Sequence, residues 1–196
     1  MKKHMKILVV VDMQNDFIDG SLGTPEAQAI VPKVAQLMRD NANKDTVILF
    51  TKDTHETYYS NTLEGKNLPV EHCIRNTEGW NLNGKILDVF CQIIDYFRAV
   101  KIENPMCNEF GMIEKPTFGS VEFQNILYVL DEIEPIEEIT LCGLCTGICV
   151  LSNAILAKAT LPEVPINVVA NCCACVAPES HKTALDAMKL CQINII

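Results

Sequence analysis

The sequence predicts an α/β protein in which a parallel sheet carries helices on both faces. Three observations lead there. Continuous apolar runs such as Ile7–Val11 (ILVVV) and Thr46–Thr51 (TVILFT) are what strands covered on both faces require. Between such runs lie segments whose apolar residues recur at helical spacing. Strands alternating with helices build βαβ units, and right-handed crossovers distribute the helices over both faces.

The elements follow in chain order. After the first strand, Pro25 to about Asn43 places Ile30, Val34, Leu37 and Met38 near one helix face. Residues 53–83 are polar, contain glycine and read as irregular, and a loop of that length inside a domain usually has a function. A helix is expected over Ile86–Phe97 and a short strand around Met112–Glu114, with a weaker strand candidate at Ala99–Ile102. Gly119–Leu130 reads as helix, Glu138–Cys142 as strand and Gly147–Ala159 as helix. Pro165–Ala170 reads as strand, Ser180–Leu190 as helix and Cys191–Ile196 as a closing apolar strand. No repeat, low-complexity tract or linker interrupts the 196 residues, so one domain over 1–196 is expected.

Composition excludes several classes. The formal charge is -9, from 16 Lys plus Arg against 25 Asp plus Glu, and no basic stripe exists to meet a phosphate backbone. Nucleic acid is therefore not an expected partner. Only MKKHM precedes the first strand, without the apolar stretch of a secretory signal. A cytoplasmic location is expected, with most of the ten cysteines reduced and acting as small buried hydrophobes. The uncharged run Ile139–Ala157 approaches the length of a membrane span, but it holds Thr140, Gly143, Thr146, Gly147, Ser152 and Asn153. It reads as a buried strand, a tight turn and a buried helix, with no membrane partner.

Ligands of such folds bind at the carboxyl ends of the strands, so residues that directly follow a strand matter most. Asp12 follows ILVVV, Lys115 follows the MIE segment, and Cys149 lies where LCGLCTGICV turns through two glycines into a helix. A helix N-terminus favours thiolate, and its N–H groups can hold an oxyanion. Taken singly, Asp12 is equally a turn residue, Lys115 a solvated lysine and Cys149 an inert buried cysteine. Together they supply a nucleophile, an acid–base carboxylate and a cation, the set that acyl transfer needs. Asp53 and His55 (TKDTHETYY) alternate in an extended segment and share a face, and His72 follows in LPVEHC. Two imidazoles and a carboxylate form a three-ligand metal site with open positions; the alternative is turn or surface residues. Cys172, Cys173 and Cys175 lack the second thiol pair of a zinc site. His181 is expected in the first turn of a surface helix, with Ser180 as its cap.

These residues resemble the isochorismatase-like cysteine hydrolases, and within them the metal-binding nicotinamidase branch. The resemblance runs from about Ile7 to the C-terminus. It rests on D-x-Q-x-D-F (Asp12, Gln14, Asp16, Phe17), D-x-H (Asp53, His55), P-x-x-H-C (Pro69 to Cys73), K-P-x-F-G-S (Lys115 to Ser120) and G-x-x-T-x-x-C-V (Gly143 to Val150), in that order. It implies a three-layer α/β/α fold with a mainly parallel six-stranded sheet. It implies a catalytic triad of Asp12, Lys115 and Cys149, preferring Cys149 to Cys145 as nucleophile. A cis peptide at Leu144–Cys145 is implied, with the N–H groups of Cys145 and Cys149 facing the oxyanion. Phe17 and Leu144 are implied beside the substrate, and Asp53, His55 and His72 as ligands of a divalent metal, expected to be zinc. The implied reaction is hydrolysis of a small amide, nicotinamide to nicotinate and ammonia, by a homo-oligomer.

This chain departs from the family pattern at named positions. Thr54 stands inside the D-x-H motif where Trp is usual, Leu68 replaces the Trp before P-x-H-C, an extra residue precedes His72, and Gly147 follows Thr146 where Asp is common. Phe17 and Tyr58 or Tyr59 are the aromatic candidates to wall a ring in place of the missing Trp; the single Trp, Trp80, lies beyond His72. The departures motivate an alternative substrate, another small amide, ureido or carbamoyl compound. The cysteine content motivates a second alternative, a non-catalytic thiol redox sensor of the same fold.

Overall fold

The computed structural model describes residues 4–100 and 111–196. The first apolar run becomes β1 (Met5–Val11) and lies at the centre, because six of its seven residues are apolar and buried. On one side β1 pairs with β2 (Thr46–Asp53), and β2 with β3 (Met112–Lys115). On the other it pairs with β4 (Ile136–Leu144), followed by β5 (Ile166–Ala174) and β6 (Asn194–Ile195). The order is β3-β2-β1-β4-β5-β6 and every pairing is parallel, so the sheet expected to be mainly parallel is wholly so.

Helices cover it in two layers. After the short α1 (Asn15–Ile18), α2 (Pro25–Asp40) and α4 (Gly84–Ala99) pack together as one layer. The other consists of α5 (Val121–Ile133), α6 (Leu151–Thr160) and α7 (Pro178–Leu190). Local chemistry sets the starts. Thr24 Oγ1 accepts from the Ala27 N–H ahead of α2, and Ser120 Oγ accepts from the Phe123 N–H ahead of α5. Among the described residues no helix is long and apolar enough to cross a membrane. The uncharged run Ile139–Ala157 is divided between β4, a π-helical turn (Thr146–Val150) and α6.

Several expectations are corrected. The weak strand at Ala99–Ile102 does not form at its described end: Ala99 closes α4, Val100 caps it, and residues 101–102 lie outside the described residues. β5 continues to Ala174 rather than Ala170, because β4–β5 pairing resumes at Gly143↔Cys173 after a register shift. Ser180 does not cap α7: Pro178 opens that helix, as its fixed φ suits the first turn, and Ser180 falls inside. The segment 53–83 is not wholly irregular, since it holds a 3-10 turn (Tyr59–Asn61) and α3 (Leu63–Asn67).

Gly143 is where the fold is least tolerant. Its φ is +116°, and a Cβ there would lie 2.1 Å from the Val11 carbonyl oxygen. Gly143→Ala is expected to cost more than about 3 kcal/mol, which a thermal melt would show as a fall of roughly 6–12 °C.

Candidate active site and metal centre

The sheet reverses its direction of growth between β1 and β4, and a crevice opens at the carboxyl ends of strands at such a point. Asp12 follows β1 with φ +46°, its N–H bonded to the Thr51 carbonyl. Its carboxylate is wholly buried: Oδ1 accepts from the Thr51 hydroxyl at 2.6 Å, and Oδ2 lies 2.7 Å from the Lys115 ammonium. Lys115 ends β3 and reaches the Cys149 sulfur at 3.5 Å. Cys149 sits in the π-helical turn after β4. Three strand ends thus deliver a carboxylate, an ammonium and a thiol to one buried point. The Leu144–Cys145 peptide is cis.

The electrostatics correct one expectation. Burial pushes the Cys149 thiol well above the ordinary thiol value, against the pull of a helix terminus toward thiolate; Asp12 adds to the rise, Lys115 opposes it and Asp53 adds further. Burial and Asp53 raise the Asp12 carboxyl as well, against the pull of Lys115. Lys115 keeps its charge, because the raising effect of Asp12, Cys149 and Asp53 exceeds the burial that would discharge it. Asp12 Oδ2 is thus held by the Lys115 ammonium, within the same buried point as the thiol.

A second cluster adjoins this one. Ligand atoms of Asp53, His55, Glu64 and His72 all lie within 4.8 Å of one another. Asp53 Oδ2 is 3.1 Å from His55 Nε2 and 3.5 Å from His72 Nε2, and Glu64 Oε1 is 3.7 and 3.8 Å from the same nitrogens. His72 Nδ1 is 2.8 Å from the Val70 carbonyl, which directs the N–H there and leaves Nε2 its lone pair. The donor set suits a divalent cation: two imidazole nitrogens and two carboxylate oxygens, in the range zinc accepts. Burial and Asp53 push the Glu64 carboxyl upward, an excess of negative charge that a cation would relieve. Asp53 Oδ1 also lies 3.6 Å from Lys115, so one lysine faces both clusters.

Glu64 was not foreseen. It rides on α3, whose start is fixed by Thr62 Oγ1 accepting from the Gly65 N–H. Asn153 was also missed. Buried one turn after Cys149, it donates to the Cys149 and Phe118 carbonyls and accepts from the Ser120 N–H, binding α6 to the loop after Lys115. His181 does more than occupy a surface helix, since its Nδ1 is 2.8 Å from Thr146 Oγ1 at the start of the π-helical turn that carries Cys149.

The aromatic residues divide. Tyr59 is buried against two imidazoles, its ring 4.7 Å from His55 and 5.0 Å from His72, with its hydroxyl donating to the Leu68 carbonyl. Phe17 lies 5.5 Å from the His72 ring, and Leu144 is buried at the end of β4. A cavity of about 860 Å³ opens outward from His55, Glu64 and Lys115; Tyr58, Leu68 and Phe118 are among its walls, and Phe17 and Leu144 are not.

Comparison with known proteins agrees with this geometry. The isochorismatase domain model matches residues 6–88 and 108–196. A nicotinamidase of Saccharomyces cerevisiae is 35% identical over 111 residues, 43% of this chain and 51% of that protein, so the match spans about half of the yeast enzyme. The pyrazinamidase/nicotinamidase of Streptococcus mutans superposes with a TM-score of 0.76 at 26% identity, over 97% of this chain and 99% of that one. The pyrazinamidase of Pyrococcus horikoshii, solved in complex with zinc, shares the fold with a TM-score of 0.74 at 24% identity, over 97% and 98% of the two chains. The chain therefore belongs to the isochorismatase family.

Proposed function

We propose that this protein is a metal-dependent cysteine amidohydrolase that converts nicotinamide to nicotinate and ammonia. The observation that carries the reading is the buried chain of contacts from Asp12 through Lys115 to Cys149, with the four-ligand cluster one carboxylate away. The names of the relatives support the choice of substrate. Zinc is the proposed metal, held by Asp53, His55, Glu64 and His72. When bound, it supplies a Lewis-acid contact that orients the pyridine nitrogen of the substrate.

The chemistry belongs to the side chains. Asp12 takes the proton of the Cys149 thiol, and the sulfur attacks the amide carbon. Lys115 stabilises the negative charge that passes between the two groups. Backbone N–H groups of Cys145 and Cys149 hold the oxyanion. Asp12 then gives its proton to the leaving nitrogen, which departs as ammonia and leaves a thioester on Cys149. A water molecule, deprotonated by Asp12, attacks the thioester; nicotinate departs and the thiol regains a proton.

The test is ammonia release from nicotinamide by zinc-loaded protein, with Cys149→Ala as the blank. Rapid release that depends on Cys149 is expected. No release from a protein whose Cys149 still reacts with an alkylating reagent would sink nicotinamide as the substrate. Chelation of the metal is expected to raise KM for nicotinamide by at least about tenfold, the equivalent of one lost contact of about 1.4 kcal/mol, while Cys149 alkylation persists.

A second reading has its own observation. Leu68 and the open cavity beside it remove a wall from a flat ring, and Arg75, held between Glu56 and Glu114, adds polar groups at the rim. Another small amide or carbamoyl compound then becomes the substrate, and a panel in which such a compound outperforms nicotinamide would favour it.

A further inference from the structure

Gln14 is wholly buried two residues beyond Asp12, where β1 gives way to α1. Burial obliges its amide to find partners, and it finds the backbone of two distant segments. Nε2 donates to the carbonyl oxygens of Asp53 at 2.8 Å and Trp80 at 2.9 Å, and Oε1 accepts from the Asp53 N–H at 2.7 Å. The β1–β2 register ends at Val11↔Thr51. Past that end, the side chain of Gln14 replaces a strand, satisfying both backbone groups of Asp53.

The bonds close into a ring. Trp80, held through its carbonyl, donates its indole N–H to Thr54 Oγ1 at 2.9 Å. Thr54 Oγ1 in turn donates to the Lys52 carbonyl at 3.1 Å, and the Lys52 ammonium lies 2.9 Å above the indole ring. Residues 52–54 are thus gripped on either side of Asp53, and His55 follows directly. Thr54, which departs from the usual Trp, is the hydroxyl that receives the indole of Trp80. Asp12, by contrast, is held by Thr51 and Lys115.

We propose that Gln14 is a positioning residue of the metal centre: through the Asp53 backbone and the Thr54–Trp80 bond it sets the geometry in which Asp53 and His55 meet a cation. The inference rests on the metal reading given above. Partners that orient ligands from behind change metal affinity by about 10–100-fold when removed.

The test measures zinc affinity of the purified protein by competition with a chromophoric chelator. Fluorescence of Trp80, the chain's single tryptophan, is the second readout, and alkylation of the Cys149 peptide, followed by mass spectrometry, is the third. Wild-type protein is expected to bind zinc with a change in Trp80 emission. Gln14→Met strips hydrogen bonds from buried backbone groups and is expected to melt at a lower temperature, still in one cooperative transition; it is expected to bind zinc about 10–100-fold more weakly while keeping its Cys149 alkylation rate. Undiminished zinc affinity in Gln14→Met overturns the proposal, and so does a parallel loss of zinc binding and alkylation, which would mark a general structural role. Should Gln14→Met not fold, Thr54→Val removes both bonds of the Thr54 hydroxyl from the same ring and is expected to weaken zinc about 2–10-fold; wild-type affinity in that variant overturns the proposal. Failure of the wild-type protein to bind zinc refutes the metal reading itself, and the proposal with it.

Discussion

Lys115→Met is expected to lower ammonia release by about 10³–10⁴-fold and to remove about 3–5 kcal/mol of stability. Lys115 is the one ammonium that faces Asp12, Asp53 and Cys149 among the described residues. Methionine matches its length and restores none of its charge. Two buried carboxylates would then face each other without a counter-charge, and Asp12, already raised by burial, rises further. A protonated Asp12 cannot accept the thiol proton. In the wild-type enzyme kcat/KM should fall as pH drops through the raised pKa of Asp12, and in Lys115→Met that acid limb should move to higher pH. The stability effect has the matching sign. A carboxyl whose folded pKa exceeds its unfolded value contributes stability below the unfolded value and loses it as pH rises through the folded one. The variant should therefore be destabilised least in acid and most at neutral pH. Melts across that range, beside a pH–rate profile, check both statements; neutral-pH activity within tenfold of wild type would count against the assigned role.

Cys149→Ser should cost still more, about 10⁵–10⁶-fold in kcat, with melting temperature and zinc affinity unchanged. The swap keeps the shape of a side chain that packs in the core. It replaces a thiol, already hard to ionise in this burial, by a hydroxyl that Asp12 has far less capacity to deprotonate. The serine variant should show no covalent acyl adduct by mass spectrometry after brief exposure to nicotinamide, whereas the cysteine enzyme should show the thioester. An adduct on wild-type protein at a cysteine other than 149 would reassign the nucleophile.

What the sequence disclosed and what it withheld have physical reasons. β1 and β2 were legible because a strand covered on both faces must be apolar throughout, and Leu8–Val11 and Val47–Phe50 are. Asp12, Lys115 and Cys149 were legible because each lies at or just beyond the carboxyl end of a strand: Asp12 follows β1, Lys115 ends β3 and Cys149 sits in the turn after β4. Glu64 was not, since one glutamate in a polar stretch carries no periodic signal and enters the cluster only when α3 folds. The order within residues 53–83 was equally hidden. It is made by single bonds over long sequence distances, such as Gln14 to Asp53 and Asp16 Oδ2 accepting from the Cys73 N–H at 2.7 Å. The expectation of a thiolate weighed the helix terminus and left out burial, which pushes the Cys149 thiol upward.

The central place of β1 has a consequence for how the protein is made. Met5 pairs with Ile136, so one edge of β1 stays bare until the chain has grown by some 130 further residues. At about 5–20 residues per second, that interval is roughly 7–26 s. Throughout it, ILVVV offers an unpaired apolar border to any other nascent strand. Messages broken before the β4 codons would yield sticky fragments rather than half-enzymes, and the growing polypeptide should be an avid client of ribosome-associated chaperones.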